Sequence, residues 1–490
     1  MPSSPKLKSD AQATASLISP VGDRHISLIP RYLNPNGPRF TNALDRILYD
    51  HSLSILPNLV FLNRARSSEI CAAQIYELHD ADAGLRSALL VSSATHLFVQ
   101  GVVSKLDFLK IRQRALRAIS NAVLAKQEPD NSTQRLLTVT SAATNPWGQV
   151  GSLHCSDAYL SASLNLSATG LILGEPLHNI LPLIQGTVLF VMQRHRFAEF
   201  ASKRQSSSPL AVINNISSHS FTITKRMLAY FDIMSCVPCA RTPYMAELYW
   251  FTDKACVEQQ NMDGSGLDLT MGCFPVLFAL LGRCSTFIDS RFKNVTTLDK
   301  LHAIEVSLLN DLQHWSPLPQ RLPILSTSPG HDSYTFHTSD YRICVFAGNA
   351  YSLATQIFLL RSRDFDETSS QIEALVHLLS MEILQVPIES APMTTMLWPL
   401  WVLGCESYDP ATRDGTIMPI FNRLLQRQSF RNIHLALEAL RTRIWRLGHG
   451  TGETALKERA VEESSSSQYP WRQSEWVKYC WVEKIQLTLA

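Results

Sequence analysis

The sequence predicts an all-α protein, folded as a single large, irregular multi-helix domain. Three observations carry that expectation. Apolar residues recur at spacings of three and four through most long segments, the signature of amphipathic helices. Strand-like alternation is nearly absent along the chain. Of the 490 residues, 45% are hydrophobic and only 18% charged, enough to bury a sizeable core without disulfides or metals.

The helical segments follow in order. Leu85, Leu89, Ala94, Leu97 and Phe98 fit one helical face. Leu109, Leu116, Ile119 and Val123 form the next, with Arg112, Arg114 and Arg117 between them directed to solvent. Leu277, Leu281, Cys284 and Ile288 repeat the pattern, and so do Leu298, Leu301, Ile304, Leu308, Leu312 and Trp315. Residues 341–360, 372–383 and the set Ile433, Leu437, Leu440 and Ile444 complete the series. Helix starts are signalled by Thr338-Ser339-Asp340, with Asp340 as the cap, and by Asp409-Pro410-Ala411-Thr412. Ser-, Pro- and Gly-rich stretches at 127–132, 202–209, 263–266, 316–334 and 462–468 read as surface loops. Residues 1–39 read as a flexible tail and 40–490 as the helical domain. Within that domain, 138–175 lacks a period and reads as an irregular insertion or a stretch read out of frame.

Charge and cysteine use narrow the function classes. A net charge of +2, from 44 basic and 42 acidic residues, argues against a surface devoted to nucleic acid or anionic lipid. The first forty residues hold no apolar core of signal-peptide length, and Asp10 and Asp23 weaken a transit-peptide reading. No membrane span is expected, the nearest apolar runs being 180–192 and 393–405, each interrupted by a proline. Ten scattered cysteines read as reduced core residues of a cytosolic or nuclear protein, and the Asn-x-Ser/Thr sites at Asn131, Asn165, Asn215 and Asn294 carry little weight.

The search for reactive chemistry gives little. Cys236-Val237-Pro238-Cys239 is a lone C-x-x-C without the second ligand pair of a zinc site or the strand of a redox motif, so its reading is structural. His331, Asp332, His337 and Asp340 match no metal-ligand spacing. Nucleophile-elbow, zincin, phosphate-loop and dinucleotide motifs are absent, and Asp263-Gly264-Ser265-Gly266 reads as a turn. The chain is therefore expected not to be an enzyme, with no catalytic residue, no cofactor and no metal. The basic stretch from Lys105 to Arg117 poses the nucleic-acid question. Lys110, Arg112, Arg114 and Arg117 are candidate phosphate contacts, although such a run is usually a solvated helical face.

Several stretches, in order, resemble the fungal-specific transcription factor domain, the helical regulatory region that accompanies zinc binuclear cluster DNA-binding modules. They are the small-residue helix ending in Ala94-Thr95-His96-Leu97, the Arg-rich helix 110–124, and the turn Arg241-Thr242-Pro243-Tyr244 after Phe231-Asp232. The helix from Gly272 to Leu281 follows, then Trp398-Pro399 through Gly404 and Glu406 to Asp409 and Arg413, and last the segments 430–445 and 476–481. Pro399 is expected to kink a buried helix, Pro243 to end one, and Glu406, Asp409 and Arg413 to form a structural ion pair rather than an active site. The family's DNA-reading module needs six cysteines in a short basic segment, whereas the first cysteine here is Cys71, already inside the helical region.

What the resemblance implies is a nuclear transcriptional regulator without its own zinc cluster. A missing first exon, a DNA-binding partner or a degenerate paralogue would each account for that. Its expected partners are a zinc-cluster factor or co-regulator, with DNA contact indirect, a small-molecule effector as a further candidate, and a metabolic or secondary-metabolite gene set as target. Two alternatives stand beside it: an α-helical ligand-binding protein or enzyme with a central cavity, and a zinc-independent direct DNA binder using the 105–117 helix.

Overall fold

In the computed structural model, the described residues are 42–56, 83–125, 157–204, 219–245, 267–268, 272, 274–316, 338–363, 369–447, 471–485, 487 and 489. Among them, helix is the only extended secondary structure. The longer helices are α1 (Ala43–Ser54), α2 (Ala83–Val99), α3 (Lys105–Ala125), α4 (Asp157–Leu173), α5 (Leu177–Arg204) and α6 (His219–Cys236). They continue with α7 (Pro275–Phe292), α8 (Leu298–Gln313), α9 (Thr338–Leu360) and α10 (Ser369–Gln385). Helices α11 (Leu397–Glu406), α12 (Met418–Gln428), α13 (Arg431–Thr442) and α14 (Trp476–Val482) close the series. From Thr41 onward the chain makes one unit, the all-α multi-helix domain that the periodicity predicts.

Helix α9 lies at the centre of the main core. Tyr341–Leu360 is long and apolar enough to cross a membrane by length and composition, yet most of it is buried between neighbouring helices. An all-round apolar helix is what the interior of a large bundle requires. This stretch, rather than 180–192 or 393–405, comes nearest to a span, because its one charged residue, Arg342, sits near its start. Helices α8, α10, α7 and α11 pack around it. Phe358, Trp398 and Trp476 meet there, with the Phe358 and Trp398 rings edge to face at 5.1 Å.

Most apolar faces fall where the spacing puts them. Leu277, Leu281, Cys284 and Ile288 are buried, as are Ile433, Leu437, Leu440 and Ile444. Helix α3 is a correction of phase. Its buried face is Phe108, Ile111, Ala115 and Ala118, whereas Leu109 and Leu116 are 45% and 38% exposed. Both sets have helical spacing, and the buried one pairs with the close-packed neighbour α2, where Phe98 stacks on Phe108 at 5.0 Å. On α8, likewise, Leu301, Leu308 and Leu312 are buried, while Leu298 and Ile304 are exposed.

The larger correction concerns 138–175. Its second half is the regular helix α4, which packs on α2 and α5. The helix shows no amphipathic period because it is buried nearly all round, with Leu160, Leu164, Leu166 and Leu171 interleaved among small residues. Ser161, Ser163, Ser167 and Thr169 are buried, and Ser167 and Thr169 donate to carbonyls one turn back at 3.1 and 2.8 Å. Ser92 of α2 donates to Asn165 Oδ1 at 2.9 Å, so polar side chains join the two helices where apolar ones would have revealed the period. Gly170 completes the close approach: a Cβ there would lie 2.8 Å from Ile180. Residues 138–156 lie outside the described residues.

A histidine pair ties the first helix to the rest. His96 Nδ1 lies 3.1 Å from His51 Nε2, and His96 Nε2 lies 3.1 Å from the carbonyl of Gln428 at the end of α12. Both rings are buried. Burial, and next to it His96, lower the His51 pKa to about 4, and burial lowers that of His96 despite the Gln428 carbonyl. A histidine kept neutral in the fold and charged when unfolded favours unfolding as pH falls. The stability it contributes is complete above the unfolded value of 6.5 and is lost between there and about 4. Denaturant titrations at pH 7.5 and pH 5 are expected to differ by about 2 kcal/mol through His51 alone. His51→Phe is expected to remove that share of the difference.

Candidate functional site

The residues singled out in the sequence gather at three places. The first is the carboxyl end of α11. Met396 precedes the helix after a 3-10 turn, Pro392–Thr395, so Pro399 occupies the first turn, where its missing N–H leaves no helical bond unmade. Pro399 therefore opens the helix rather than kinking it. All ten residues of α11 are buried, including Glu406. The last carbonyls of such a helix have no helical partner and here no water. They are met by side chains from elsewhere. Trp445 Nε1 donates to Gly404 O at 2.8 Å, and Gln473 Nε2 to Cys405 O at 2.7 Å. Arg413 Nε donates to Ser407 O at 2.7 Å. Gly404 is required by close packing, since a Cβ would stand 2.6 Å from Leu440 of α13.

Glu406 is the charge at this node, and its partner is not Arg413. Arg361, one residue beyond α9, holds it through two parallel bonds of 2.8 and 2.7 Å, and Trp476 Nε1 adds a third at 2.7 Å. Both members of the pair are buried, with side chains 6% and 1% exposed. Arg413 instead packs its guanidinium over the Trp445 ring at 5.1 Å and donates to Gln473 Oε1 at 2.9 Å. Asp409 caps the turn Pro410–Thr412, accepting from the N–H groups of Ala411 and Thr412 at 3.2 and 2.8 Å. The Thr412 N–H and hydroxyl hold its carboxyl below the ordinary aspartate range. The expected Glu406–Asp409–Arg413 grouping is thus resolved into an ion pair, a helix cap and a cation held by neutral acceptors. Arg361, Gln473 and Trp445 complete the node. The signal for Arg361 was a lone arginine closing a long apolar run.

The second place is the turn after α6. Cys236 ends the helix, Pro238 begins a 3-10 turn, and Ala240 takes a left-handed conformation at φ 46°. The chain thus leaves the helix before Pro243. Buried Asp232 accepts from the Met245 N–H at 2.7 Å and folds the turn back onto α6. Arg241 lies 3.8 Å from Asp232, 2.7 Å from Cys236 Sγ and 4.3 Å over the Tyr244 ring. Cys236 and Cys239 are free thiols, and burial pushes both pKa values up, that of Cys236 well up. Cys236 donates to the Asp232 carbonyl at 2.8 Å, a packing role. Asp289 of α7 binds Thr242 at 2.9 Å, Lys293 at 2.8 Å and Trp481 at 3.2 Å, tying this turn to α14. Burial alone would raise the Asp289 carboxyl, but these bonds hold it below its ordinary range.

The third is the basic helix α3. Lys105, Lys110, Arg114 and Arg117 are exposed. Arg112 is drawn into a two-bond ion pair with Glu175, beyond the end of α4, and Arg114 lies 3.4 Å from Asp45 of α1. Of the four candidate phosphate contacts, Arg112 is thus engaged within the fold. No group of three or more metal-ligating side chains occurs among the described residues, and His331, Asp332 and His337 lie outside them. Asp340 sits in the first turn of α9 rather than at its cap.

The family model of the fungal specific transcription factor domain matches residues 48–486. The chain belongs to this family. No curated protein matches it, and no solved structure does. The family domain spans nearly the whole helical unit, from within α1 past α14 and including α4 and the node around Glu406, so the resemblance read from separate motifs extends across one continuous body.

Glu406 supplies a test of the node. Replacing it with alanine leaves Arg361 charged and buried, which is expected to cost about 3–5 kcal/mol in denaturant unfolding. The double replacement Arg361→Met with Glu406→Leu is expected to recover most of that loss, because an apolar pair of similar size carries no desolvation cost.

Proposed function

We propose that this chain is the regulatory part of a transcriptional regulator that works in the nucleus and reaches DNA through a protein partner. The observation that carries the reading is the match of residues 48–486 to the fungal specific transcription factor domain. The chemistry agrees with it. The buried charges described above bind one another and close helix ends, as fold-keeping groups do, and no reactive constellation is assembled from them. A set of metabolic or secondary-metabolite genes is the proposed target.

The surface of α3 suits a protein partner better than a phosphate backbone. Exposed Leu106, Leu109 and Leu116 alternate there with Lys110, Arg114 and Arg117. Apolar side chains interleaved with basic ones lose their advantage against a uniformly charged groove, and gain it against an apolar patch with an acidic rim.

Transcript profiling of a deletion strain is expected to show a coherent set of changed genes, and an unchanged transcriptome would sink the regulatory reading. The purified chain is expected not to retain duplex DNA at near-physiological salt. Salt-sensitive retention abolished by Lys110→Ala with Arg114→Ala and Arg117→Ala would assign DNA contact to α3 and overturn the partner-dependent part of the proposal.

A further inference from the structure

A half-open cavity of about 290 Å³ lies between α6, α7 and α8. Its walls are Ala229 and Ile233 from α6, Leu301 and Leu308 from α8, and Pro243 and Met245 from the turn after α6. All six are apolar. Along one edge run Arg283, Thr286 and Ser290, at helical spacing on α7. Thr286 and Ser290 donate their hydroxyl hydrogens to carbonyls one turn back, at 3.0 and 2.9 Å. Arg283 supplies donors at this edge. It lies 3.4 Å from Asp311, with the side chains 35% and 41% exposed.

The cavity is kept open by a residue choice that helix formation does not favour. Gly282 is buried in the middle of α7 and lines the space. A Cβ there would meet Ile233 at 3.5 Å and Pro243 at 3.6 Å, ordinary contact distances. Alanine would therefore fit and is the better helix former. Gly404 and Gly348, by contrast, are demanded by neighbours closer than 3 Å. Glycine at 282 leaves room in the cavity. Ile304, 45% exposed, adds a solvated apolar side chain to the lining.

We propose that this cavity binds a small amphiphile, a compact aliphatic chain bearing one carboxylate, with the chain between α6 and α8 and the carboxylate at Arg283. At the ~30 Å³ that a water occupies in the liquid, the space holds roughly ten non-hydrogen atoms, and it sits at the lower end of small-molecule sites. The proposal rests on the reading of this chain as a regulatory domain, for which the amphiphile is the effector.

Octanoate, with ten non-hydrogen atoms, is the probe, and 1-octanol is its uncharged counterpart. Calorimetric titration of the full chain is expected to show saturable 1:1 binding of octanoate, with octanol roughly tenfold weaker for loss of the charged hydrogen bond. Arg283→Gln is expected to abolish that preference while octanol still binds. Gly282→Ala is expected to melt no lower than the parent chain and to bind octanoate several-fold more weakly. Retained melting separates loss of the site from loss of the fold. No saturable octanoate binding, or unchanged binding by both variants, overturns the proposal; equal affinity for octanol overturns the carboxylate assignment. These titrations use purified protein, so an unchanged transcriptome in a deletion strain would remove the regulatory reading without altering their result.

Discussion

The buried ion pair between Arg361 and Glu406 is the constraint around which this fold is arranged. Helix α11 is apolar for nine of its ten residues and is enclosed on every side, yet it ends in a carboxylate and a row of carbonyls without helical partners. Burying those groups unpaired would cost several kcal/mol each. Satisfying them fixes the neighbours. Arg361 must lie beside the last turn, which sets how far α9 runs. Trp476 must reach the same carboxylate, which docks α14, and Gln473 must face Cys405 and Ser407, which places the turn before it. One helix end thus recruits segments up to seventy residues away in sequence. A buried pair of this kind contributes little net stability against an apolar replacement. Its consequence here is geometric: the alternatives that separate these elements leave a charge bare in the core.

Close packing follows the same economy of space. At Gly170, Gly348 and Gly404 a Cβ would fall within 3 Å of a side chain on another element, so these helices approach more nearly than larger residues allow. Helix α4 extends that logic, with buried serines, threonines and Ala162 set between its buried leucines. The Ser167 and Thr169 hydroxyls return to their own helix, that of Ser161 meets Thr224 of α6, and the Ser92 hydroxyl of α2 reaches Asn165. Interlocked small residues with paired hydroxyls hold the helix against both α2 and α5, and the histidine pair clamps α1 and α12 onto the same region.

Much of this was legible in the sequence, and what was not has physical reasons. Spacing of three and four reports that a segment is a helix with one face buried, so α7, α13 and most of α8 could be read down to their core residues. Where two faces are both apolar, as on α3, spacing fixes the period but not the phase. The choice of Phe108 and Ile111 over Leu109 and Leu116 is made by α2. Helix α4 was hidden because period requires contrast, and a helix buried all round has none. The partner of Glu406 was out of reach for a different reason. Asp409 and Arg413 are near in sequence, whereas Arg361 is near only in space. Local reading found the members of the node and misassigned their bonds. The Asp409 cap, which needs only its next three residues, came out as expected.

The turn after α6 adds a bonded path between the cavity and α14. Asp232 and Arg241 fasten it from within, and Ser285 donates to the Arg241 carbonyl at 2.8 Å. On one side Thr242 binds Asp289, which also receives Trp481, so the turn is coupled to α14 and through Trp476 to the carboxylate of Glu406. On the other side Pro243 and Met245 face the cavity. A molecule seated between α6 and α8 would press on the residues that anchor this turn. The turn is a bonded link between that cavity and the helix ends that the central ion pair holds in register. The segment 236–245 is thus held from two helices at once, since Asp232 of α6 receives the Met245 N–H and Asp289 of α7 receives the Thr242 hydroxyl.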